Sequence, residues 1–202
     1  VLGPSGAGKS TLLDAIAGFR VPTQGRILWQ GTDLTHAAPN TRPVSILFQD
    51  GNLFPHLDIW KNASLALRPD GGRPNKAEQN RIKDALAQVE LAQLADRKPG
   101  TLSGGQQSRA ALARVLLQER PILLLDEPFA ALGPALKADM LALVTKVADR
   151  LGALTLMVTH APEDAERFAN QTIVVADGFA HPPVDTKPLL ANPPATLRAY
   201  LG

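Results

Sequence analysis

A chain of 202 residues with 45% apolar content can bury one sizeable core, or one core with a smaller lobe, and is too short for two independent large domains. Lys plus Arg number 21 against 19 for Asp plus Glu, and a net charge of +2 gives no basic field for nucleic acid. The lack of cysteine excludes disulfides and thiolate metal sites, and the longest apolar runs, such as residues 122–125, fall far short of the ~20 residues of a bilayer span. Membrane association is therefore expected through a partner.

Val1 and Leu2 lead straight into a glycine-rich segment with neither an initiator Met nor a signal-peptide pattern, so the chain reads as cut inside a strand. Gly3, Pro4, Ser5, Gly6, Ala7, Gly8, Lys9 and Ser10 fit the pattern G-x-x-x-x-G-K-[ST], and a helix over Lys9–Ala17, closed by Gly18, follows. Glycines there let successive backbone N–H groups turn inward around phosphate oxygens, and the helix start adds a favourable dipole. Lys9 is expected to reach the β and γ phosphates of ATP and Ser10 to offer its hydroxyl to Mg²⁺, with Thr11 completing the ATP-binding set. The bland alternative is a turn that binds nothing, but a chance match to the whole pattern is on the order of 1%.

Residues 26–29 read as a strand closed by the Gln30-Gly31 turn, and residues 44–48 as an apolar-leaning strand that ends at Gln49. Between Pro55 and Pro99 the character changes. Ile82, Ala85, Leu86 and Val89 fall at i, i+3, i+4 and i+7, and Asn75 with Glu78 offers a capping box, so this stretch reads as a helical lobe inserted into an α/β core. Gly104–Gln118 is the next helix, residues 122–125 a buried strand, and Pro134–Leu151 a long helix with proline in its first turn. Leu154–Val158 and residues 172–176 supply two more strands. The proline-rich tail after Asp177-Gly178 is weakly helical only near residues 195–201.

A phosphate loop needs an acidic partner, because Mg²⁺ prefers carboxylate and phosphate oxygens in octahedral geometry. The run 122–125 delivers Asp126 to the end of a buried strand, and Glu127 beside it can polarise an attacking water. Alone, such a run is as often a strand entering a solvated turn; the upstream loop makes Asp126 the expected metal ligand and Glu127 the catalytic carboxylate. Leu102, Ser103, Gly104, Gly105 and Gln106 open another helix and form a second phosphate-binding helix start, with Ser103 also suited to cap it. One nucleotide hardly needs both.

In this order, and followed by Gln107, Arg109 and Ala111-Leu112-Ala113-Arg114, these residues resemble the signature of the ABC ATPases, and the resemblance runs through essentially the whole chain. It implies an α/β fold: a P-loop NTPase core with a mostly parallel sheet and an inserted helical subdomain at about 55–115 that carries the signature. Residues 1–202 would then be one nucleotide-binding domain lacking its N-terminal strands and the aromatic platform for adenine. Gln49 matches the Q-loop glutamine, which contacts Mg²⁺ or the attacking water, so that Ser10, Gln49 and Asp126 form the metal set. His160 matches the switch histidine at the γ-phosphate, completing a catalytic group of Glu127, His160 and Gln49. His36, His56 and His181 match no catalytic motif.

The resemblance further implies a homodimer in which the signature of one copy faces the ATP of the other. It implies an integral membrane permease, an extracytoplasmic solute-binding protein reached through that permease, and a peripheral position on the cytoplasmic face of the inner membrane. One departure stands out: Ala130-Ala131-Leu132-Gly133 replaces the family's Ser-Ala-Leu-Asp, which puts communication between the two ATP sites in question. Residues 42–49 and 52–57, with residues 156–160 and 174–178, are similar to the cassettes of bacterial thiamine importers. Cassettes for another small solute (iron, polyamine or sugar) and a cassette with impaired hydrolysis stand as alternatives.

Overall fold

The computed structural model describes residues 1–48, 53–194 and 197–198. In chain order its elements are α1 (Lys9–Ala17), β1 (Leu28–Trp29), β2 (Thr32–Asp33), β3 (Val44–Leu47), α2 (Ile59–Ser64), α3 (Lys76–Gln88), α4 (Gly104–Gln118), β4 (Ile122–Asp126), α5 (Pro134–Leu151), β5 (Leu154–Val158), α6 (Pro162–Phe168), β6 (Gln171–Thr172), β7 (Val175–Ala176), β8 (Phe179–Ala180), β9 (Val184–Asp185) and α7 (Thr186–Ala191). The chain divides into two compact units: Val1–Val44, Leu124–Glu127 and Leu156–Gly202 form one, and Ser45–Leu123 with Pro128–Thr155 the other. Among the described residues no helix is long and apolar enough to cross a membrane.

Strands β3, β4 and β5 form a sheet in that order. Leu154 N donates to Pro121 O at 2.9 Å, and at the other end Glu127 N donates to Val158 O at 3.0 Å, the rising register of a parallel pair. Leu123, Leu124 and Leu125 are wholly buried, which is why β4 reads as an unbroken apolar run rather than an alternation.

In the first unit Leu2 forms a parallel bridge to Val174, with Leu2 N to Ile173 O at 2.9 Å and Val175 N to Leu2 O at 2.8 Å. On its other side Thr159 N donates to Val1 O at 3.4 Å. The phosphate loop is thereby launched from a buried extended segment, with Leu2, Val174, Ala176 and Ala165 in one apolar cluster under α6 and α7. The sequence reading differs from the structure at several points. The strand anticipated at 26–29 contracts to β1, which pairs with β2 across a turn in which Gln30 and Gly31 have φ of 48° and 83°. The strand anticipated at 172–176 divides, because Thr172 pairs with Val184, Val174 bridges to Leu2, and Val175 pairs with Ala180. Helix α2 falls within the helical lobe expected from Pro55 to Pro99, whereas α6 and α7 were not anticipated. Of the weakly helical tail, 195–196 and 199–202 lie outside the described residues, and Leu197 and Arg198 both donate to Pro194 O.

In the second unit α4 packs against α2, α3 and α5. The expected capping box of α3 is present: Glu78 N donates to Asn75 Oδ1 at 3.0 Å and Asn75 N to Glu78 Oε2 at 2.8 Å. Ile82, Ala85, Leu86 and Val89 are buried, as their spacing requires.

Candidate functional site

Gly3 sits where the extended segment passes Val175 so closely that a Cβ would lie 2.0 Å from the Val175 carbonyl oxygen, so only glycine fits. Gly6 and Gly8 have φ of 77° and 102° and open space around them, the conformations that turn the loop back on itself. Helix α1 starts at Gly8 without a side-chain cap and without an acid in its first turn. Its first N–H groups therefore keep both their hydrogen-bonding capacity and the positive end of the helix dipole for an anion.

Lys9 is nearly buried and donates from Nζ to Gly3 O and to Pro4 O, each at 2.8 Å. Burial lowers its pKa, while Glu127 and Asp126 nearby favour the charged form. The ammonium is thus held inside the loop with two carboxylates in range.

Asp126, at the carboxyl end of β4, has the Ser10 hydroxyl close enough to favour its charged form. Burial raises its pKa against the pull of Ser10, and Glu127 and Asp14 add to the rise. Its Oδ1 is buried and has no hydrogen-bond partner among the described residues. A buried carboxylate oxygen left unsatisfied beside a hydroxyl is a costly arrangement in an apoprotein and a fitting one for a hard divalent cation. Among the described residues no group of three or more His, Cys, Asp or Glu side chains could hold a metal.

Glu127 follows with a positive φ of 46°, a conformation that is costly for a side chain with a Cβ, and its N–H is fixed to Val158 O. The turn points its carboxylate Oε1 at Nε2 of His160, which follows β5. Thr159 anchors that histidine's turn: its hydroxyl donates to Asp164 Oδ2 at 3.1 Å and accepts from Ala161 N at 3.1 Å. Sequence reasoning missed Thr159 and Asp164, although a threonine before a strand-end histidine and an acid in the first turn of α6 would have been the signal.

The structure therefore gathers Gly3 to Thr11, Asp126, Glu127 and His160 in the first unit. The signature lies in the second. There Gln106 N donates to Ser103 Oγ at 3.3 Å and Ser103 N to Gln106 Oε1 at 3.0 Å, a reciprocal cap on α4 that leaves the Ser103 hydroxyl proton uncommitted in the pair. Gly133 starts α5 with φ −63°, ψ 157° and no side-chain cap. Gln49 lies outside the described residues.

The model of the ABC transporter family matches residues 1–130, and the chain belongs to that family, as one of its ATP-binding and ATP-hydrolysing cassettes. It is 63% identical over 202 residues to the thiamine import ATP-binding protein ThiQ of Cereibacter sphaeroides, covering all of this chain and 87% of that one. With the protein of the same name from Ruegeria sp. the identity is 58%, at the same coverage. Among solved structures, cbiO1 from Clostridium perfringens, part of the ABC transporter complex cbiONQ, superposes with a TM-score of 0.84 at 28% identity over 95% of this chain and 78% of its own. The dimeric bacterial ABC transporter cassette MJ0796 does so with a TM-score of 0.77 at 31% identity over 92% and 84%.

Proposed function

We propose that this cassette powers the uptake of thiamine or its phosphate esters through a separate integral membrane permease. It does so as a homodimer at the cytoplasmic face of the membrane, with an extracytoplasmic solute-binding protein delivering the cargo. One observation carries the catalytic part: the glycine loop, the unsatisfied Asp126 oxygen and the Glu127–His160 pair all belong to one compact unit. The cargo rests on the names of relatives 63% and 58% identical to this chain.

Gly3 to Thr11 wrap the triphosphate, with Lys9 neutralising the β and γ phosphates. Ser10, Asp126 and Gln49 hold Mg²⁺, which when bound draws charge from the phosphate oxygens. Glu127 accepts a proton from the attacking water as its oxygen bonds to the γ phosphorus and the bond to the β–γ bridging oxygen breaks. His160 orients Glu127 and donates to the γ phosphate. Leu102, Ser103, Gly104, Gly105 and Gln106 complete the ATP site of the second copy, and the helical subdomain at about 55–115 receives the permease. The reciprocal cap on α4 supports this reading, since it presents a preorganised helix start with a serine hydroxyl at its tip.

The test is reconstitution of the cassette with a thiamine-importer permease and binding protein, and measurement of ATP-dependent uptake of labelled thiamine against iron, polyamine and sugar competitors. Thiamine uptake that ceases without ATP is the expected result. Uptake of another cargo would overturn the thiamine assignment and leave the ATPase reading in place.

A further inference from the structure

Arg42 is 1% exposed, the largest of the fully buried side chains, and it is a cation. A buried guanidinium is costly unless every face of it is paired. Here the pairing comes from main-chain carbonyls. Nη1 donates to Ala15 O at 2.7 Å and Ile16 O at 2.8 Å, Nε to Ala37 O at 2.9 Å, and Nη2 to Thr35 O at 3.1 Å.

Ala15 and Ile16 lie in the last turn of α1, the helix whose first turn carries Lys9 and Ser10. Asp14 O is taken by three amides, from Gly18, Phe19 and Arg20, and Ala15 O accepts weakly from Gly18 N at 3.3 Å, so Arg42 adds a shorter donor to Ala15 O, supplies one to Ile16 O and places a positive charge at the negative end of the helix dipole. Its other two bonds hold the turn at Thr35 and Ala37. That turn is itself braced: the Thr35 hydroxyl donates to Asp33 Oδ1 at 2.6 Å and accepts from Ile27 N at 2.9 Å. Arg42 also stands two residues before β3. Even the helix end is shaped to receive it, since a Cβ on Gly18 would lie 2.6 Å from Arg42 Nε.

We propose that Arg42 is a positioning residue for the nucleotide: by clamping the far end of α1 to the 35–37 turn, it fixes the axis of the helix and so the place of Lys9 and Ser10 against the phosphates. The inference rests on the glycine-loop reading above. A nine-residue helix is a stiff rod of ~14 Å, and a tilt of a few degrees at its clamped end moves its phosphate end by about 1 Å, enough to weaken contacts that depend on alignment. Lysine cannot replace it, because one ammonium nitrogen cannot reach carbonyls on two sides as a planar fork does.

The test compares Arg42→Lys with the wild type for melting temperature, ADP affinity, and KM and kcat for ATP. Expected are a folded protein, an ADP Kd and an ATP KM each raised about tenfold, and a smaller fall in kcat, because Lys9 and Ser10 shift while Glu127 and His160 are untouched. A folded Arg42→Lys with wild-type Kd and KM overturns the proposal, as does a loss confined to kcat. If the variant does not fold, hydrogen exchange on the wild type decides. Reciprocal coupling requires that ADP slow exchange of the amides at 35–42 at least severalfold, and unchanged exchange there overturns the proposal. Lys9→Ala separates the two levels: nucleotide binding undiminished in that variant would refute the glycine-loop reading itself, whereas loss there with none in Arg42→Lys would refute this inference alone.

Discussion

His160 Nε2 meets Glu127 Oε1, joining the ends of two neighbouring parallel strands through their side chains. The contact exists because Glu127 takes up a left-handed backbone and Thr159 ties down the turn that carries the histidine. Removing the charge while keeping the shape is therefore informative. Glu127→Gln is expected to bind ATP normally and to release phosphate at least ~100-fold more slowly, accumulating an ATP-bound dimer on sizing chromatography. Wild-type turnover would move the base role elsewhere.

Asp126 offers a trade between stability and function. Its folded pKa is raised chiefly by burial, so between the unfolded value near 3.9 and the folded value the native state holds more protons than the unfolded one. Stability from this group is present below that window and is lost as pH rises through it. Asp126→Asn is thus expected to melt roughly 2 °C higher than wild type at neutral pH without metal, to match it below about pH 3.9, and to lose Mg²⁺-dependent hydrolysis. Melting curves across pH, with a phosphate-release assay, check all three.

Gly133 begins α5 with an ordinary negative φ, and a Cβ there would meet nothing within 4 Å. Nothing in the local backbone calls for glycine. Gly133→Asp would cap an uncapped helix, oppose its dipole and restrict the unfolded chain, and is expected to stabilise the protein by about 1 kcal/mol in denaturant unfolding. A melting temperature no higher than wild type would contradict the capping argument.

The loop glycines are not equivalent. Gly3→Ala would drive its Cβ to 2.0 Å from the Val175 carbonyl oxygen, with backbone on both sides, and is expected to cost more than ~2 kcal/mol and to abolish nucleotide binding. Gly6→Ala meets open space and pays only the strain of φ 77°, about 1 kcal/mol. Equal damage from the two would show that strain rather than contact governs the loop.

Helices α1, α4 and α5 were legible residue for residue because their ends are written in local chemistry: a glycine in the left-handed region after Ala17, a serine with a glutamine three residues on, a proline in the first turn. Of the two-residue strands, β1 was read too long, β6 and β7 were merged into one, and β2, β8 and β9 were missed, since so short a segment shows no alternation and owes its form to its partner. In the site, Lys9, Ser10, Asp126 and Glu127 were picked out through motif and spacing and His160 through the resemblance to the family, and the structure places all five in one unit. The twist that aims Glu127 and the clamp at Arg42 were not, because each depends on carbonyls that only the folded chain brings near.

The tight approach of Gly18 to Arg42 gives the two positions a shared history. A side chain at 18 would occupy the space in which the guanidinium reaches the helix end and would also meet the strain of φ 92°, so a change at 42 lifts the first obstacle and leaves the second. Relatives that have lost glycine at the end of this helix should carry a smaller residue in place of the arginine, with the helix carbonyls turned to solvent or to another donor. Directed evolution started from Arg42→Ala should recover at 18 only residues that tolerate a left-handed backbone, asparagine foremost, which the parent sequence rejects.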